Sequence, residues 1–230
     1  QPVVLDSEQI NFQALAADDV GIRRIGIEWR GLDERLVTEP AAGEKLLSAG
    51  GPTSTSMQVP ATFSAVALGI TPQPIEVRLW TEDYFPDRPR SYTPPHVLFI
   101  LTAEEHAIWI TSQLSKWHRA ALDVRDKELQ LHAANKRLRE MSAEELADEE
   151  MREELRKQAS LEGANARRLA ALSGVGEGLL RQAARNPEIG VGHLDRWAEM
   201  LQILNDIGEN RMPSVSDLLD KASTQKTLAR

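Results

Sequence analysis

The sequence predicts two modules of different class: a small antiparallel β-sandwich over residues 1–101, then a helical hairpin or bundle of long helices over residues 102–230. Up to about residue 101, apolar residues alternate every second position (Ile25, Ile27, Trp29; Ile75, Val77, Leu79). Beyond it they recur every three or four (Ile110, Leu114, Trp117, Ala121, Val124). A period of two puts alternate side chains on one face of a strand, and a period near 3.5 draws a stripe along a helix. In the first part, short apolar runs are also separated by polar turn segments, the spacing expected of paired sheets sharing one core.

The strands come first. Ile10-Asn11-Phe12-Gln13-Ala14 alternates and runs into Ala17-Asp18-Asp19-Val20-Gly21, a turn signal because Asp and Gly both tolerate left-handed backbone. Residues 22–30 follow as a strand with Ile25, Ile27 and Trp29 inward and Arg24, Gly26 and Glu28 outward. Residues 40–56, rich in Gly, Ser, Pro and Thr, read as a long connection. Further strands are expected at 56–59, 63–68, 74–80 and 96–101. On the strand at 74–80, Trp80 falls on the face opposite Ile75, Val77 and Leu79.

Residues 16–22 (Ala-Ala-Asp-Asp-Val-Gly-Ile) and 77–84 (Val-Arg-Leu-Trp-Thr-Glu-Asp-Tyr) resemble the Asp-rich turn and late strand of bacterial immunoglobulin-like or cadherin-like repeats. The Pro- and Ser-containing stretch from Pro86 to Pro95 stands where such repeats carry the loop before their last strand. The resemblance implies an immunoglobulin-like sandwich over about a hundred residues. Cadherin-type repeats can bind calcium through several oxygen ligands, and Asp18, Asp19, Asp83 and Asp87 are the local candidates. The ligand-rich signatures of cadherin linkers are missing, so these carboxylates are read as solvated turn residues and no metal site is assigned.

The helices begin at a capping box. In Thr102-Ala103-Glu104-Glu105 the hydroxyl and the second carboxylate satisfy opposite backbone donors at a helix start. The apolar stripe then continues to Leu131 and Leu138, interrupted by Glu128 and Asn135. A helix of nearly forty residues needs a partner along its length. Ser142-Ala143-Glu144-Glu145 repeats the capping pattern, which predicts a break and a second long helix carrying Leu146, Met151, Leu155, Ala159, Ala166 and Leu169. Residues 173–178, Ser-Gly-Val-Gly-Glu-Gly, are expected to interrupt or kink that helix, and Asn186-Pro187 to end it. A helix through Trp197, Met200, Leu201, Leu204 and Ile207 follows, then a short one opened by Pro213 and a polar tail from Ser223. A returning helix would make a three- or four-helix bundle; the alternative is an extended coiled-coil arm.

The order of parts also resembles a family of large, uncharacterised bacterial membrane-anchored proteins that carry an extracytoplasmic β-sandwich followed by long helical segments. The residues that prompt this are 17–22, 183–189 (Ala-Ala-Arg-Asn-Pro-Glu-Ile) and Trp197 through Met212-Pro213. It implies an architecture and an extracytoplasmic, periplasmic-side location, tethered through parent sequence outside this chain. It transfers no catalytic residue.

Composition narrows the function classes. The net charge is −8 and the pI about 5.3. Residues 1–101 carry 8 Lys+Arg against 13 Asp+Glu, and residues 102–230 carry 19 against 22, so neither half offers the basic face that phosphate neutralisation requires. No nucleic-acid partner is expected. There is no cysteine, which removes disulfides, thiolate zinc sites and a Cys nucleophile. No apolar run is long enough to span a bilayer. The chain opens on Gln1-Pro2-Val3 and is read as an excised piece or processed product.

The motifs with chemical potential are weak. Gly174-Val175-Gly176-Glu177-Gly178 follows a helix, whereas a dinucleotide loop follows a strand. Residues 169–175 faintly resemble a helix-turn-helix, yet residues 160–210 hold five arginines against seven acidic residues. The five histidines form no i, i+4 pair. No catalytic, cofactor-binding or metal-binding residue is assigned, and no cofactor is expected. Trp109 and Trp117, eight residues apart on one helix, are either core or interface, and Trp80 is the better interface candidate. The resulting expectation is a non-enzymatic interaction or scaffolding fragment with a protein partner or self-association. A nucleic-acid-contacting regulator would need a basic surface, and a hydrolase two converging carboxylates.

Overall fold

The computed structural model of the chain describes residues 2–32, 40–146 and 148–224. A β region precedes long helices, and the chain divides into two compact units, Gln1–His106 and Ala107–Arg230. The polar tail expected from Ser223 falls largely on residues 225–230, outside the described residues.

Among the described residues the first unit contains eight strands: β1 Val3–Leu5, β2 Gln9–Ala17, β3 Ile22–Gly31, β4 Ala42–Ala49, β5 Ser56–Ser64, β6 Pro74–Asp83, β7 Ser91–Tyr92 and β8 His96–Leu101. The larger sheet runs β1-β8-β6-β3-β4 with β7 also on β6, and β2 and β5 form a separate antiparallel pair. The β1–β8 pairing is parallel, so the larger sheet is mixed where the strand spacing predicts a purely antiparallel one. The two sheets bury a common core. Ile27, Trp29, Ile75 and Val77 of the larger sheet meet Phe63 of β5, with Ile10 and Phe12 of β2 packed alongside. Ala14 joins Ile22 and Ile25 in a neighbouring cluster.

Two strand boundaries differ from the sequence expectation. The segment read as a long connection contains β4, whose Gly43, Glu44 and Lys45 are exposed. Among the described residues it pairs with β3 alone, and Leu47 packs on the core while its first five residues are exposed, so no apolar alternation marks it. Conversely, residues 56–64 form one strand through Pro60 and end before a 3-10 turn at Val66–Leu68. Proline removes a backbone donor, which is tolerated because β5 belongs to a two-stranded sheet and, among the described residues, keeps one unpaired edge.

The helices are α1 Ala103–Glu140, α2 Ala143–Leu146, α3 Glu149–Ala183, α4 Val191–Asp206 and α5 Met212–Thr224, with a π-helical turn at Ile207–Arg211 joining the last two. Both capping boxes form. The Glu105 N–H donates to Thr102 Oγ1 at 3.1 Å and the Thr102 N–H to Glu105 Oε2 at 3.0 Å. Ser142 and Glu145 repeat the exchange at 3.3 and 2.7 Å. The Ser142 bonds hold the Glu145 carboxyl below its ordinary value. Thr102→Ala is expected to cost about 1 kcal/mol, read as a fall of about 2–4 °C in melting temperature by circular dichroism.

The glycine-rich stretch does not break α3, which runs unbroken to Ala183. Gly176 is a packing residue: a Cβ there would lie 2.6 Å from Leu201 of α4 and 3.1 Å from the Trp117 indole nitrogen of α1. Glycine lets three helices approach at one level, at an intrinsic helix cost of about 1 kcal/mol. Helix α5 packs on α3 where Ser216 Oγ donates to the Ala159 carbonyl at 2.8 Å, and a Cβ at Gly163 would lie 3.3 Å from that oxygen. Ala166, Leu169 and Met212 are the buried centre of this packing, with Val124, Leu204 and Ile207 around them.

Candidate functional site

The three tryptophans singled out from sequence sit in different surroundings. Trp80 does occupy the β6 face opposite Ile75 and Val77, and that face is a ladder of complementary charge. Across β3 and β6 the paired residues are Arg24 with Glu82, Gly26 with Trp80, Glu28 with Arg78, and Arg30 with Glu76. Trp80 is nevertheless only 3 % exposed. The Arg90 guanidinium lies 3.8 Å above its ring and bonds Glu82 at 2.9 Å and Glu44 at 2.5 Å. Those hydrogen bonds push the Arg90 pKa further above its ordinary value. Beneath the ring, Gly26 leaves room that no side chain could share. Alternation placed Trp80 outward correctly; the covering by Arg90 comes from the loop after β6 and carries no periodic signal. An exposed anchor is therefore not what Trp80 presents.

Trp117 is buried within the helical unit, and its indole N–H donates to the Leu172 carbonyl of α3 at 2.8 Å. It ties α1 to α3. Trp109 is half-buried, as is Trp197 on α4.

The Asp-rich turns form a polar cleft of about 590 Å³ that includes Asp18, Asp19, Glu82 and Asp83. Its cationic place is taken by the chain itself. Arg88 bonds Asp83 at 2.7 Å and lies 3.7 Å from Asp18. Asp87 takes a positive φ of 61° in the preceding turn, a conformation Asp tolerates. Among the described residues, no group of three or more His, Asp or Glu is arranged to hold a metal ion.

The helical unit holds two features side by side. One is an apolar groove of about 240 Å³ lined by Val124 and Leu129 of α1, Leu169 of α3, Leu204 of α4, Ile207 of the π turn and Met212 of α5. Leu129 is 60 % exposed. Glu128 and Arg125 stand in the groove wall, and Arg125 is turned to Asp126 at 2.7 Å.

Next to it, α1 and α3 enclose a polar layer. Asn135 Nδ2 donates to Glu162 Oε1 at 2.5 Å, and Asn165 Nδ2 to Glu128 Oε2 at 3.1 Å and to the Val124 carbonyl at 3.3 Å. Glu162 and Asn165 are each 1 % exposed. Burial, and after it the neighbouring Glu128 carboxylate, push the Glu162 carboxyl up, against the Asn135 hydrogen bond and the His132 charge. Glu128 and Asn135 are the interruptions of the α1 stripe legible in the sequence. Their partners Glu162 and Asn165 sit four and one positions before the apolar Ala166, and nothing local distinguishes them from exposed helix residues.

Compared with models of known protein families and with curated proteins, the chain matches none. Among the described residues, no helix is long and apolar enough to cross a membrane.

Proposed function

We propose that this chain is a non-enzymatic spacer and docking segment of a larger membrane-anchored bacterial protein, standing on the extracytoplasmic side. The observation that carries the docking role is the apolar groove of the helical unit, with Leu129 exposed at its edge. The groove takes an amphipathic helix of a protein partner, inserting aliphatic side chains and placing a Lys or Arg beside Glu128. Charge supports that choice, because Arg125 is engaged by Asp126 and Glu128 leaves the wall acidic. Helix-in-groove recognition uses this combination of apolar anchors and a flanking ion pair.

The β unit is read as immunoglobulin-like and as the spacer. The order β8-β6-β3-β4 facing β2–β5 supports this, since it parallels strands G-F-C-C′ facing B and E of that fold. The extracytoplasmic location rests on the resemblance of residues 17–22, 183–189 and 197–213 to the membrane-anchored family. The carboxylates that converge at the Asp-rich turns also favour a structural role, because Asp18 and Asp83 already meet Arg88.

Leu129→Glu tests the groove. At an exposed position it is expected to change stability by less than about 0.5 kcal/mol. A photo-crosslinking residue at position 125 of the native full-length protein should then yield a discrete adduct that the variant loses. An adduct pattern indifferent to L129E removes the docking role. Fractionation with protease added outside the inner membrane tests the location, and a protected cytoplasmic protein overturns it.

A further inference from the structure

The polar layer between α1 and α3 is short of hydrogen-bond donors. Asn135, Gln158 and Asn165 direct their amide N–H groups to Glu162, Glu154 and Glu128. Among the described residues, four oxygens of the layer are left buried without a partner: Asn135 Oδ1, Gln158 Oε1, Glu162 Oε2 and Asn165 Oδ1. An ionised carboxylate only accepts hydrogen bonds, whereas a protonated one has an O–H to donate. Leaving such groups unmet in a buried site is costly, and adding a second negative charge beside Glu128 costs more.

We propose that Glu162 is a proton-held latch between α1 and α3: with its carboxyl protonated the two helices stay paired, and loss of the proton to solvent loosens them. A proton on Oε2 supplies the donor the layer lacks and removes one of two neighbouring negative charges. Position favours a latch over an inert buried acid, since every interhelical bond of the layer joins α1 to α3 and the layer borders the groove wall at Glu128. Among the described residues, the charged groups that act on Glu162 are Glu128 and His132, both on α1; α5, which packs on α3 through Ser216, adds none.

The sign is fixed by the raised carboxyl. The folded chain holds the Glu162 proton more tightly than the unfolded chain, in which Glu titrates near 4.5. The latch therefore contributes fully below that value and is lost as pH rises through the higher folded one. Glu145, Glu154 and Asp206 are held below their ordinary values and act oppositely, losing stability as pH falls. The comparison must be between variants at each pH.

The test is hydrogen exchange of the intact chain, with Glu162→Gln as the permanently neutral isostere. Between pH 4 and 8, amides over 124–138 and 158–169 should exchange alike in the two proteins at the acid end. Toward pH 8 they should exchange at least about fivefold faster in wild type. Glu128→Gln, which keeps an oxygen to accept from Asn165 and removes the neighbouring charge, should shrink the rise with pH. Equal exchange in wild type and E162Q across the range overturns the latch. So does protection of the wild type at pH 8 by 1 mM calcium or zinc that E162Q lacks, which would make the layer a cation site.

Discussion

Trp117→Ala is expected to destabilise the helical unit by about 3–5 kcal/mol, the range for removing a buried aromatic side chain from a packed core. Three losses combine. The indole leaves a void beside Gly176, which has no side chain to fill it. Its N–H no longer reaches the Leu172 carbonyl. The α1 stripe also loses its largest buried member among Ile110, Leu131 and Leu138. Trp117→Phe separates these terms, since it keeps most of the ring and forfeits the hydrogen bond, typically about 1 kcal/mol. Denaturant unfolding followed at 222 nm measures both. A W117A midpoint close to that of the wild type would show that α1 is not held to α3 at this level.

Gly26→Ala is the second large effect, and its origin lies in the β unit. The added Cβ would stand 2.2 Å from the Cε2 and Cζ2 atoms of Trp80, well inside contact distance. The ring cannot retreat outward without displacing Arg90 from Glu44 and Glu82. Overpacking of this kind costs about 1–3 kcal/mol. The cause is testable in a double-mutant cycle, because Gly26→Ala should cost little once Trp80→Ala has removed the ring. A cost that persists in the W80A background would assign the effect to backbone conformation.

The two cases show where sequence reasoning reaches and where it stops. Alternation placed Trp80 on the outer face, and the structure keeps it there, but a guanidinium ten residues on covers it. Periodicity placed Gly174, Gly176 and Gly178 in a helical region and treated them as breakers. Helix propensity alone supports that, and only the approach of Trp117 and Leu201 shows why Gly176 is worth its cost. Strand β4 was missed for a related reason. Leu47 of β4 packs on the core while its first five residues are exposed, so there is no apolar alternation to detect, and its order comes from ladder bonds with β3.

What the sequence by itself determined is the succession of a β region and long helices, the inward faces of β3 and β6, and the two capping boxes. These depend on residues within a few positions of one another, whose spacing reports directly on strand or helix geometry. The tertiary structure alone decided the mixed sheet, the roof over Trp80, the Arg88 counter-charge at the Asp-rich turn and the pairing of Asn135 with Glu162. Each joins residues from separate elements or sets a loop side chain against a sheet, and pairing across the chain leaves no period in it. Glu128 and Asn135 mark the limit: the sequence shows that they interrupt a stripe, and only the facing helix shows what the interruption holds.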